Sequence, residues 1–468
     1  MSMIPVTKSF PVVLGGLLLT GCMNLAPVYE KPETSVPVAF AINLNGNLEG
    51  VTQLTWDDVI VSEDLRALIR LALEKNQDIR LAAANIELAR AQYGISRAGR
   101  FPTVNGTASV TEGDTFGGNN PLARSTFSDS SRANIQVSAF ELDFFSRVKN
   151  GREADLQAWL ATVEGKRAAE ISIASSVAQL WVRLASDIEV LKLAEQTIEV
   201  QGESLSLTRE LLEAGAATEL DVRRASTSVE TARAQAAVSK AQILQDLNAL
   251  RLVVGADLPA DIREKARLTP EPVLLNAPAA LKSDILVNRP DVLQAERNLM
   301  AANANIGAAR AAFYPTISLT GSAGYVSGDL GELFDGGGGW SFGPSLSVPI
   351  FNAGALDEQL KASEAQRELA LAQYEQTIQT AFRETSDALA VASTINERLD
   401  ALLQLEEDTG VTLQLSEERF KVGVDDYLSV LDAQQTSFDA RQQVIAARAD
   451  RALNQIALFQ AIGVTSAK

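Results

Sequence analysis

The sequence predicts an α+β membrane protein in which very long helices alternate with barrel-length β-hairpins, the whole plan occurring twice. Three features of the 468 residues carry that reading. Some helical patterns run far beyond what a compact globule can use. Four alternating segments have the length of tilted transmembrane strands. An internal repeat sets Asp78 on Asp291 and Gly215 on Gly423, with the intervening landmarks in the same order.

Composition narrows the function classes. The formal charge is −18, so nucleic acid, which needs clustered cations to release counterions, is a poor partner. The chain has no histidine, which removes most zinc sites, the Ser-His-Asp and Cys-His triads and the commonest general base. No convergent catalytic set takes their place, and no cofactor or metal is expected. Gly94 and Gly99 have phosphate-loop spacing but lack the following Lys-Ser/Thr, and the glycine run 336–339 precedes a strand, not a helix. With one cysteine, no intramolecular disulfide can form.

Residues 1–21 read as a lipoprotein signal peptide. Lys8 supplies the charged start, and the apolar run Val12–Leu19 is too short to span a bilayer. It ends in Leu19-Thr20-Gly21-Cys22, which resembles the bacterial lipobox, where cleavage before the cysteine is followed by addition of diacylglycerol and an acyl chain. An ordinary signal peptide with an incidental cysteine is the alternative. Met23 follows, not the aspartate of an inner-membrane retention signal, which points to the outer membrane. Residues 22–63 form the anchor and an extended segment.

The first repeat, 64–270, opens with a helical pattern from Asp64 to Arg100, ended by Pro102. Val104, Gly106, Ala108 and Val110 then alternate with polar residues. After the loop 113–131, Ile135, Val137, Ala139 and Glu141 alternate likewise. A helix from Arg152 to Glu213 follows, without proline and roughly 93 Å long at 1.5 Å per residue. Along it Val177, Leu184, Leu191, Ile198, Leu205 and Leu212 keep a heptad spacing, which implies coiled-coil packing. Gly215 marks a turn into the next helix.

The second repeat, 271–463, follows the same plan, and 464–468 form a tail. Asn76–Val104 aligns with Arg289–Ile317 at an offset of 213, placing Gly94 on Gly307 and Pro102-Thr103 on Pro315-Thr316. Strands are expected from Ile317 to Val326 and from Trp340 to Pro349-Ile350, flanking the loop 328–339. Leu431, Phe438, Ile445, Ala452 and Phe459 repeat the heptad near the C-terminus. The sequence after Cys22 contains no run of about 18 apolar residues, so a closed barrel is the available way across a membrane. Four strands cannot close one, whereas three copies would supply twelve.

Arg289–Glu296 (RPDVLQAE) and Ala301–Pro315 (AANANIGAARAAFYP) resemble the signature of TolC-type outer-membrane factors, in particular the lipidated, OprM-like branch that serves tripartite RND drug-efflux pumps. Glu141–Arg147 is similar to the family's barrel-to-helix segment, and Arg419–Gln434 to its periplasmic-tip motif. Asn288 and the ending Leu458–Gly463 depart from the family pattern. The resemblance implies a homotrimer with a twelve-stranded barrel in outer-membrane lipids and a helical barrel in the periplasm. It implies an adaptor and an inner-membrane RND pump as partners, with drugs or other small molecules as cargo. Leu428 and Asp432 match positions that ring the closed mouth, although on its own Asp432 reads as a solvated carboxylate. Asp221 and Arg419 match a polar latch between helix pairs, and Gly215 and Gly423 the tip turns. The acidic balance suits a cation-tolerant lumen or a soluble periplasmic surface equally. A duct for type I protein secretion and a coiled-coil envelope tether are the competing functions. Met23 and Met300 are the only thioethers after Cys22, which argues against copper or silver as cargo.

Overall fold

A computed structural model describes residues 23–33, 36–37, 39–40, 55–112, 130–273, 283–335 and 337–463. The expected signal peptide, Cys22, most of the loop 113–131 and the tail 464–468 fall outside the described residues. The elements in order are α1 (Trp56–Val59), α2 (Glu63–Lys75), α3 (Gln77–Ala98), β1 (Val104–Thr111), β2 (Ser130–Leu142), α4 (Arg147–Glu213) and α5 (Glu219–Val254). A short α6 (Ile262–Lys265) and a 3-10 turn (Ser283–Asn288) lead to α7 (Pro290–Ala311), β3 (Thr316–Ser327), β4 (Gly339–Ser347), α8 (Ala355–Lys421) and α9 (Tyr427–Ala461).

The duplication is visible in the element lengths. α3 and α7 each have 22 residues, α4 and α8 each have 67, and α5 and α9 have 36 and 35. The described chain forms two compact units. One comprises the chain up to Pro32 with Ile86–Ala161 and Ala295–Tyr374, and includes the whole sheet. The other comprises Glu33–Asn85, Thr162–Gln294 and Glu375–Lys468.

The sheet explains why these strands form. Its order is β1-β2-β3-β4, all neighbours antiparallel, so β2 and β3 join the hairpins of the two repeats. Directly paired residues share a face. Val104 pairs with Val137, Val137 with Gly321 and Gly321 with Phe342, while Ile135 lies opposite Ala323, itself opposite Trp340. That face is apolar across all four strands, and it is open: Trp340 is 82% and Phe342 65% exposed. The other face carries Asn105, Thr107, Arg132, Asn134, Gln136, Ser322 and Ser341. There Thr107 donates to Asn134, and the Ser322 and Ser341 hydroxyls bond at 2.8 Å. An apolar outer face with a polar inner one is the pattern of a lipid-embedded barrel wall. Among the described residues no helix is long and apolar enough to cross a membrane.

Two expectations from the sequence need correction. The simple alternation Ile135, Val137, Ala139, Glu141 is broken by a β-bulge. Val137 pairs with Gly321 but Phe140 with Leu319, three residues of β2 against two of β3. Ala139 takes a φ of 45° in the bulge. The slip puts Phe140 and Leu142, instead of Ala139 and Glu141, on the apolar face. The helix expected from Asp64 to Arg100 is likewise two helices. Asn76 is extended (ψ 137°); its side chain accepts from the Asp78 and Ile79 amides and donates to the Val253 carbonyl at 2.7 Å. It caps α3 and ties the break to α5.

In the second unit three of the six heptad positions on α4 join the core: Val177 and Leu184 are fully buried and Leu205 is 9% exposed, whereas Leu191, Ile198 and Leu212 are half-buried. Each fully buried side chain of this kind contributes about 1.5–3 kcal/mol. At the start of α7, Arg289 is 7% exposed. It donates to Asp291, to Glu384 on α8 and to the Ala461 carbonyl at the end of α9.

Candidate gate at the interhelical turns

Helices α4 and α8 end in the same way. The Gly215 amide bonds to the Leu212 carbonyl and the Ala216 amide to that of Leu211; Gly423 and Val424 do the same to Phe420 and Arg419. These are paired Schellman closures, with φ of 73° at Gly215 and 76° at Gly423, where any side chain would be strained. The two turns pack together. Leu205, Val222, Ala225 and Val229 from one hairpin join Tyr427 and Val430 from the other, with Leu212, Phe420 and Leu431 at the margin. The Tyr427 hydroxyl bonds to Ser204 at 2.9 Å, and Phe420 tilts over its ring.

Beyond each turn a cap starts the next helix. Thr218 and Asp221 form a capping box: the Asp221 amide donates to the Thr218 hydroxyl, and the Asp221 carboxylate accepts from the Thr218 amide and hydroxyl. In the second hairpin the chemistry is exchanged, with Asp426 accepting from the amide and hydroxyl of Ser429. Arg419 grips Asp425 with two parallel bonds of 2.6 and 2.8 Å. The first hairpin has Leu211 and Ala217 at the matching places, so one turn of the duplicated pair is ionic and the other apolar.

The expected latch residues are therefore engaged within their own turns. Asp221 and Arg419 do not bond each other inside one chain, because the capping box and Asp425 claim them. The Thr218 hydrogen bonds hold the Asp221 carboxyl below the usual range, and the Arg419 hydrogen bond does the same for Asp425. Groups so depressed stabilise above the ordinary carboxylate range and lose that contribution as pH falls through their folded values. Both turns are expected to loosen below about pH 4. Hydrogen exchange over 214–222 and 419–428, compared at pH 6 and pH 3, checks this; equal protection at both would contradict it. Leu428 is 49% exposed, and Asp432, one helical turn on, is exposed as well. Both stand free on the outer side of α9 while Tyr427 and Val430 face inward.

The outer membrane efflux protein family matches this chain over residues 68–256 and 281–464. This chain belongs to the outer membrane efflux protein family. Its relative TtgC, a probable efflux pump outer membrane protein from Pseudomonas putida, is 38% identical over 465 residues, covering 98% of this chain and 96% of its own. CusC, a cation efflux system protein of Escherichia coli K12, is 37% identical over 459 residues, covering 96% and 97%. The open-state MtrE outer membrane channel of Neisseria gonorrhoeae superposes with a TM-score of 0.86 at 32% identity, covering 94% of this chain and 98% of that one. The chain is an outer-membrane efflux channel.

In this efflux protein the segment after Cys22 is also placed. The Met23 amide donates to the Phe144 carbonyl at 3.0 Å, two residues past the end of β2. The chain then lies along α7. Arg310 reaches the Leu25 carbonyl, Asn303 the Pro27 carbonyl, and Glu296 holds Lys31 at 2.9 Å and Tyr29 at 3.3 Å. The seven-residue stretch Leu25–Lys31 thus runs beside α7 from Arg310 back to Glu296, a rise of about 21 Å along the helix. Gly307 leaves room for it: a Cβ there would lie 2.6 Å from that of Ala26.

Sequence reasoning missed Thr218, Asp425, Tyr427 and Ser204. The repeat offset of 208 between Gly215 and Gly423 could have found Thr218, since it falls on Asp426 and both residue types cap helices. Nothing local marked the Tyr427–Ser204 contact.

Proposed function

We propose that this efflux channel works as a homotrimer, passively conducting drugs or other small molecules handed on by an inner-membrane RND pump through a periplasmic adaptor. The observation that carries this reading is the two-faced sheet. Its apolar face is open and its polar face is continuous. Among the described residues, β1 and β4 each lack a strand partner on their outer side. Three copies joined edge to edge give a closed twelve-stranded wall with a wet interior. The mouth is set by Leu428 and Asp432, which would recur as an apolar and an acidic ring under threefold symmetry. Asp221, Arg419 and the turns at Gly215 and Gly423 hold it shut until an adaptor engages.

The scarcity of thioethers and the lack of histidine favour organic cargo over the soft metal ions a sulfur and imidazole relay would carry. Cells lacking this chain, in a strain without other such channels, are expected to accumulate a fluorescent cationic dye, and its return to restore export. Secretion of a protein substrate without dye export would favour the type I duct. Neither activity, with loss of envelope integrity, would favour the tether.

We also propose that Cys22 carries diacylglycerol and an acyl chain. The Met23–Phe144 bond supports it, since it holds the next residue beside the end of a strand, where an acyl chain would reach the lipid. Replacing Cys22 with serine is expected to abolish radiolabelled palmitate incorporation and to reduce recovery in the outer-membrane fraction several-fold. Undiminished palmitate labelling would contradict the assignment.

A further inference from the structure

The α4–α5 hairpin brings a half-buried carboxylate, Asp187, against a buried one, Asp246. Asp187 on α4 lies within side-chain hydrogen-bonding reach of Asp246 on α5. Asp246 is 5% exposed; its Oδ1 accepts from the Gln242 amide at 3.2 Å, and its Oδ2 is buried with no donor. Two ionised carboxylates in contact repel each other, and a buried carboxylate oxygen without a donor is costly. One proton between them removes both penalties, because a protonated carboxyl donates the missing hydrogen bond.

A metal ion fits less well. Among the described residues no third carboxylate or thiolate joins the pair to make a metal cluster. The cation acting on Asp187 is Arg183, four residues earlier on the same helix and exposed. On α2, which packs against α5, Arg66 pairs with Glu63, Arg70 with Asp57 and Glu63, Asp64 with Lys265, and Lys75 with Glu74. On α9, which also packs against α5, Asp450 pairs with Arg398 and Arg451 with Glu271; Arg441 and Arg448 are the other charges on that stretch. Lys240 is held by Glu195 at 3.0 Å.

We infer that Asp187 and Asp246 form a proton-binding site that clasps α4 to α5 when one proton is shared between them and loosens the hairpin when that proton leaves for water. Burial, with the hydrogen bond and charge of Asp246, pushes the Asp187 carboxyl up to about 7. In the fold Asp187 therefore keeps a proton that an exposed carboxylate releases near pH 4. The clasp is complete in acid and is lost as pH rises through about 7, opposite in sign to the two turns. Asp187 precedes the end of α4 by 26 residues and Asp246 follows the start of α5 by 27, so the clasp crosses the hairpin about 40 Å from its turn. It acts on the arm that carries the Gly215 turn but depends only on the hairpin, not on the channel reading.

Hydrogen–deuterium exchange on the full-length purified protein, corrected for intrinsic pH dependence, tests it at pH 5.5 and 8. Protection over 183–190 and 242–250 is expected to fall several-fold, roughly tenfold at most per pH unit crossed, in the native chain. In Asp246→Asn and Asp187→Asn, where an amide replaces the shared proton, protection is expected to be the same at both pH values. Unchanged protection in the native chain, or an equal fall in the variants, would overturn the proposal. Should Asp246→Asn not fold, Asp187→Asn, at the less buried position, decides the matter alone.

Discussion

Replacing Arg289 with alanine is expected to destabilise this efflux protein by about 2–4 kcal/mol, a large share of an ordinary domain's stability. Arg289 is 7% exposed and its guanidinium joins three elements. From the start of α7 its Nη1 reaches the last carbonyl of α9 at 2.6 Å, while Nη2 serves both Glu384 on α8 at 3.1 Å and Asp291, which Nε also holds. Removing it leaves the Ala461 carbonyl with only a 3.5 Å bond from the Thr385 hydroxyl and frees two carboxylates. The cost lies toward the low side of the roughly 3–5 kcal/mol seen when a fully buried partner is orphaned, because Asp291 and Glu384 are 36% and 40% exposed and can regain water. Lysine cannot rescue the site, since one ammonium does not match donors that diverge toward three acceptors. Denaturant unfolding in detergent, followed by tryptophan emission, measures the change. A shift below about 0.5 kcal/mol would mean that these bonds only replace equally good bonds to water.

Gly324→Val is expected to abolish folded protein in the outer membrane. A Cβ at Gly324 would lie 2.3 Å from the Ala133 carbonyl oxygen and 2.5 Å from the Asn134 Cα. Those are backbone atoms of β2, held in the ladder that joins the two hairpins. They cannot retreat as a flexible side chain would, so the strain exceeds the roughly 1–3 kcal/mol of an overpacked core. Gly106→Val is the internal control. It lies in β1 of the same sheet, and nothing stands within 4 Å of its added Cβ. Heat-modifiable gel mobility of the membrane fraction separates the outcomes. Loss of the folded band in the first variant and its retention in the second is expected. Retention in both would show that β2 and β3 can move apart without unzipping.

Much of this fold was legible in the sequence because its long-range order is periodic. Heptads mark the helices, period-2 alternation marks the strands, and duplication lets each half check the other. The failures are local and have a common cause. Asn76 breaks a helix through a bond to Val253, 177 residues away, and the β2 bulge answers to β3. Asn76 does carry a local signal, as a preferred N-cap residue that the single-helix reading passed over, whereas the bulge has none. At the turns, glycine and caps could be read locally. The Arg419–Asp425 grip, six residues apart around a tight turn, could be foreseen only once the Schellman geometry was known. What a family motif supplied for Asp221 was a role between helix pairs; the chain itself shows a capping role.

Current through planar lipid bilayers tests the channel account most directly. With the proposed latch in place, purified native protein is expected to conduct in small, rare steps. Asp221→Ala with Arg419→Ala, which loosens both turns, is expected to raise the conductance of each step several-fold at an unchanged barrel. Folded protein that carries no current in either form would contradict the account.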